Sequence, residues 1–284
     1  MPESTMFTAL FGHLVLHPWR DPAVGSSDAY SLFVARSSAM GWLTPAEENA
    51  SGGVWGMNDA GQDPDSSSGS SPARIAWFQV SLTEPVPDGG PLPVQAFLAC
   101  AGDVLARIGT PSLQAVQILL PVQSLTASSR AGAVMTLLQD AGWFADCDPD
   151  QRTQVQITLD SGQSPSIRSA AADIVERARE FKQDVFSCHS FSLAGDGAMV
   201  LEPAVTDELW MGPAHHRTTL HGTLAEWSLD ALGWLAAFLA DASSRHGVGS
   251  PLMLTVRRSG GTNSGVDLDA SAGFGGRPVR RPTP

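Results

Sequence analysis

Lysine is almost missing from this chain. Lys182 is the only one in 284 residues, and arginine supplies the rest of the positive charge. A mechanism built on a Schiff base or a phosphate-gripping lysine would have to use Lys182. That residue follows the run Ile174 to Phe181 at the end of an expected helix, with no glycine loop beside it, which speaks against both. Cysteine is scarce too. Cys100, Cys147 and Cys188 are an odd, widely spaced set without a C-x-x-C, so neither a disulfide framework nor a closed zinc site is expected. Nothing approaches the roughly 20 consecutive apolar residues of a spanning helix. Residues 1–16 lack the basic start of an export signal, and His13 and His17 interrupt the apolar run there. The expectation is a cytoplasmic protein that does not enter a membrane.

Positive charge is in deficit overall, with a formal net charge of -12 and a pI of about 4.8. Nucleic-acid affinity comes from neutralising phosphates with Lys and Arg, and anionic membrane surfaces repel an acidic chain. Neither partner is expected. The familiar catalytic signatures are also lacking: no G-x-S-x-G, no H-E-x-x-H and no G-x-x-x-x-G-K-[ST]. Gly195-Asp196-Gly197 lacks the third glycine of a dinucleotide turn and reads as a plain β-turn. The Asp63/Asp65 and Asp267/Asp269 stretches lack the glycine and glutamate of a calcium loop. No cofactor and no metal are expected.

What is present reads as an α+β chain in four zones. Residues 1–44 form an N-terminal β-rich segment, with apolar runs at 7–11, 14–16 and 30–34. Residues 45–73, rich in Gly, Ser, Asp and Pro, read as a flexible linker, with a brief strand near Val54-Trp55. Residues 74–258 carry the main α+β core, and 259–284 read as a disordered tail. Within the core, 75–82 reads as a strand. Pro93 opens a helix whose apolar residues recur at helical spacing to Ile108, and Gly109 stops it. Residues 113–122 form a buried strand, and 126–141 a helix with Val134, Met135, Leu138 and Ala141 on one face. Alternation over 153–159 predicts a half-exposed strand.

Ser164 caps a helix with the stripe Ile167, Ala171, Ile174, Val175 and Ala178. Strands follow at 185–193 and 217–227. Ser228 caps a helix that is apolar around most of its circumference, so it should be buried on more than one side, and 252–256 is the last strand. Two βαβ units, 75–120 and 217–256, suggest a duplicated βαβ-containing core. The preferred architecture is a mixed sheet with helices packed mainly on one face. A doubly wound α/β sheet is the alternative.

Histidines are the best lead to chemistry. Cys188 and His189 share one strand, and His216 and His221 lie in or beside another. If those strands pair, His189 can approach His221 or His216, giving N and S donors for a soft metal or a general base beside a thiol, with Glu226 in reserve. The plainer reading is polar residues on a solvated sheet face. The pair His215-His216 resembles the active-site pair of condensation-type acyltransferases. However, the Asp-Gly that should follow is replaced by His221-Gly222, one position late, so that family is not assigned. Two functions follow as expectations. One is a non-catalytic interaction or accessory protein, an assembly factor or chaperone, with a protein partner or self-association. The other is a small-molecule enzyme of a specialised biosynthetic pathway using His189, His216 and His221.

Overall fold

The computed structural model describes residues 4–19, 28–45, 52–63, 72–87, 89–125, 131–181, 183–193 and 201–259. Lys182, the turn at 195–197, linker residues 64–71 and the tail from 260 onward lie outside the described residues.

Among the described residues, eight strands and five α-helices follow one another along the chain. They are β1 (Thr5–Leu16), α1 (Ala29–Ala39), β2 (Trp55–Gln62), β3 (Arg74–Leu82), α2 (Val94–Ile108), β4 (Gly109–Leu120) and α3 (Ala131–Ala141). Then come β5 (Thr153–Asp160), α4 (Ser166–Glu180), β6 (Phe186–Ser192), β7 (Arg217–Leu224), α5 (Leu229–Arg245) and β8 (Leu252–Arg258). The strands form one sheet in the order β2-β3-β1-β4-β8-β5-β7-β6. Every ladder is antiparallel. The chain is α+β, but its sheet is not mixed, and a doubly wound arrangement is ruled out. The physical reason is that β1 sits between β3 and β4, and β5 between β7 and β8. Each βαβ crossover thus skips one strand, and the strand that fills the gap runs the other way.

Period-two alternation splits the sheet into two apolar faces. Met6, Leu10 and Leu14 of β1 join a large cluster with buried residues of all five helices, including Phe33, Phe97, Leu137, Ile174 and Trp234. Phe7, Ala9 and Phe11 point the other way, and with Ala115, Leu119 and Met253 they pack under Trp210, which is fully buried. Buried Gln117 of β4 holds the segment carrying Trp210. Its Nε2 donates to the carbonyls of Leu201 (3.2 Å) and Glu202 (3.1 Å), and its Oε1 accepts from the Ala204 amide (3.0 Å).

Helices α2 and α5 start and stop where the cap residues place them. Ser228 accepts from the Ala231 amide at 3.1 Å, and residues 231–244 of α5 are buried without a break. Gly109 ends α2, but not with the left-handed turn of a usual glycine cap. Its φ is -175°, so the chain runs straight from helix into β4. Glycine is needed there because a Cβ would lie 2.3 Å from the Val15 carbonyl oxygen. Gly233 serves a similar end within α5, where its Cβ would meet the Gln95 Cα of α2 at 2.8 Å. A helix-interior glycine costs about 1 kcal/mol relative to alanine, and close helix contact offsets that loss. Gly233→Val should destabilise the fold by about 2 kcal/mol through overpacking, measured as a lower midpoint in urea with unchanged m-value.

Two segments differ from the sequence reading. Residues 30–34 are helical. Asp28 accepts from the Ser31 amide at 2.6 Å to start α1, and Ala29, Phe33 and Ser37 form its buried stripe at a spacing of four. Phe33 then stacks against Phe78 (5.0 Å) and packs edge-on to Phe97 (5.8 Å). Residues 55–62, expected to fall in a linker, form the edge strand β2. It buries only Trp55 and is held through its backbone to β3.

Candidate functional site

β6 and β7 pair, which brings two of the three candidate histidines onto one surface. Leu220 and Leu224 face the helix-side cluster, so Thr219, His221 and Thr223 face the opposite side of the sheet. The ladder sets Ser190, not His189, against His221, because β6 carries a bulge between Cys188 and Ser190. A bulge re-aims a side chain. Here it turns the His189 ring onto Thr223, with Nε2 3.2 Å from Oγ1, and the Gln154 amide donates to the same hydroxyl at 2.9 Å. His189, Thr223, Gln154 and His221 therefore line one stretch of polar sheet face.

His216 does not join them. It precedes β7, five residues from His221, which is roughly 16 Å along a strand. Its amide donates to the Gly162 carbonyl at 3.0 Å, and its ring meets His215 edge-on at 4.5 Å. Its Nδ1 is buried without a hydrogen-bond partner among the described residues. Glu226 accepts from the Cys147 thiol, with Oε2 3.7 Å from the sulfur. Among the described residues, no three His, Cys, Asp or Glu side chains gather closely enough to hold a metal ion.

A nucleophilic thiol needs a depressed pKa, and the cysteines are tuned the other way. Burial pushes the Cys188 thiol up, opposed only by the charge of Arg179. Burial raises Cys147 too, helped by the Glu226 carboxylate. Cys100 is pushed up to about 11 by burial, against the opposing hydrogen bond to Ser37.

A buried carboxyl group sits at the turn joining β5 to α4. Asp160 is almost fully buried and accepts from Arg217 Nε at 2.6 Å, from the Gly162 amide at 2.8 Å and from the His215 amide at 3.4 Å. Burial pushes its carboxyl above the ordinary 3.8, and those donors pull it back. This corner fixes the loop carrying His215 and His216.

Helix α3 presents a feature the sequence reading placed wrongly. Its buried stripe is Ala133, Leu137 and Ala141, rotated from the expected face, so Met135 and Leu138 turn to solvent. Trp143 follows in a short 3-10 turn and is 79% exposed, against 57% for Met135. The helical spacing of 134, 135, 138 and 141 does not distinguish the two registers. In the observed register the Trp234 indole donates to the Leu137 carbonyl at 2.8 Å.

No helix among the described residues is long and apolar enough to cross a membrane. Comparison with described protein families and with curated proteins finds no match to this chain.

Proposed function

We propose that this chain is a non-catalytic interaction or accessory protein that works through protein–protein contacts, in the manner of an assembly factor. The observation that carries this is the exposed side of α3. Met135, Leu138 and Trp143 lie within nine residues of one another and are exposed. Grouped apolar side chains on a surface mark contact sites, and Trp is enriched at their centres. Self-association is the form of contact to test first. Sedimentation velocity on the full chain should show reversible oligomers that Trp143→Glu abolishes, while circular dichroism stays unchanged. A wild-type chain that remains monomeric at the highest attainable concentration would sink self-association. A variant with unaltered oligomers would sink the α3 site.

A second reading is a small-molecule enzyme with a histidine-centred site, and one arrangement favours it. His189 is oriented by Thr223 on the same face as His221. Native mass spectrometry of protein purified without chelator should then reveal a bound small molecule that His189→Ala loses. A clean apo mass counts against it. A cytoplasmic setting accords with cysteines that are all free.

For the architecture, we infer a duplicated core with its helices on one face of the sheet. The order β2-β3-β1-β4 from one edge matches β6-β7-β5-β8 from the other, and each half runs strand, helix, two strands, helix, strand. Buried residues of every α-helix fall in one apolar cluster and none in the other.

A further inference from the structure

We propose that a notch in the sheet beside the end of β8 binds a small phosphate-bearing molecule. The notch arises from unequal strand lengths. β8 stops at Arg258 and pairs with β4 only from Ala115 onward, whereas β4 continues back to Gly109 along β1. Residues 112–114 of β4 thus lack a β8 neighbour, and β5 begins on the far side at Thr153. The gap is a cavity of about 840 Å³, within the range of small-molecule sites.

Its lining is unusual for so acidic a chain. Arg152, Arg257 and Arg258 line it with Gln154, Ser112 and Gln114, and no carboxylate lines it among the described residues. Elsewhere arginines meet carboxylates closely, as Arg36, Arg74, Arg217 and Arg245 do at 2.5–2.7 Å. Arg152 and Arg258 come within ion-pair distance of none among the described residues. Asp150 and Glu226 border an adjoining cleft that shares these two arginines, so the cationic patch has an acidic rim. Arg258 lies over the Trp227 ring at 5.8 Å, and the Trp227 indole donates to the Leu113 carbonyl at 2.9 Å. That contact ties the guanidinium to the floor of the notch.

The chemistry selects the ligand. Guanidinium forks match phosphate oxygens in bidentate pairs, and Gln and Ser add neutral donors. Arg152 and Arg258 together offer more N–H groups than one carboxylate can accept. The net charge of -12 repels an extended polyanion, while a local cluster of arginines can hold a small one. This site is independent of the contact proposed for α3.

Isothermal titration calorimetry of the full chain with pyrophosphate at low ionic strength tests it. The expected result is saturable one-site binding, weakened about tenfold or more in Arg152→Gln/Arg258→Gln, because charge-assisted bonds are lost. Should the double variant fold poorly, Arg152→Gln alone is decisive, since that residue is exposed. ADP binding more tightly than pyrophosphate would mark the ligand as a nucleotide, and equal binding would limit recognition to the phosphates; both uphold the site. The absence of saturable heat, an unchanged affinity in the variants, or citrate binding as well as pyrophosphate would overturn the proposal.

Discussion

Trp234→Ala is expected to remove about 4 kcal/mol of folding stability, in the range for deleting a buried Trp side chain. The ring is fully buried at the centre of α5. It stacks on Phe238 with centroids 5.3 Å apart and planes 5° from parallel, and Phe181 of the α4 end lies 6.4 Å away. Its indole N–H is also the tether to Leu137 of α3. The loss should therefore be unequal across the molecule. Global stability falls, as read by urea unfolding, and amide exchange in 131–141 accelerates beyond what the global change explains, because α3 loses its anchor. Trp234→Phe keeps the stack and sacrifices only the hydrogen bond, at about 1 kcal/mol plus a small cavity. A Trp234→Ala loss below that of Trp234→Phe would contradict this account of the core. Total stabilities are usually about 5–15 kcal/mol, so the alanine variant should sit near the edge of folding.

Arg217→Ala should cost about 3 kcal/mol at neutral pH, at the low end for breaking a buried ion pair because the arginine is partly exposed. It leaves the Asp160 carboxylate buried with only two backbone donors. The pH dependence identifies the cause. Burial holds the Asp160 pKa above its ordinary 3.8 in the folded protein. Its contribution to stability is thus fully present below that value and fades as pH rises through the raised folded pKa. Removing Arg217 takes away two of the influences that lower this pKa, so ionisation becomes costlier still. The gap between wild type and variant should be widest near neutrality and narrow on acidification, as Asp160 takes up its proton and no longer needs a cation. Denaturant unfolding at a series of pH values measures it. A gap that widens on acidification would show that Arg217 acts by packing alone.

Much of the secondary structure was legible because residue types with local meaning mark it. Pro93, Gly109 and Ser228 bracket α2 and open α5, and the stripe from Ile167 to Ala178 is buried as its spacing implies. Where two periods fit one run, the sequence could not decide. Residues 30–34 suit a strand until Asp28 is seen capping them, and β2 is too polar to show alternation. Sheet order was not legible at all, since nothing in β1 names β3 and β4 as its neighbours. The histidine pair was half legible. The pairing of β6 with β7 was one arrangement the sequence allowed, but the bulge at Cys188 that aims His189 at Thr223 leaves no pattern. The arginine notch joins the start of β5 to the ends of β8 and β4, so no local motif could reveal it.

The place of β8 governs how this sheet can be assembled. It is the last strand in chain order among the described residues, yet it lies at the centre of the sheet, between β4 and β5. Before it is made, four strands can join as β2-β3-β1-β4 and three as β5-β7-β6, with no ladder linking the two groups. As the chain leaves the ribosome, the first group can condense early, but β4 and β5 must wait with their backbone edges open. Such edges template pairing with other chains, and contacts between segments far apart in sequence form slowly. Insertion of β8 closes both edges in one event, so the halves join only once this last of the eight strands has been made. The hazard of two copies exchanging this strand is greatest just before it completes.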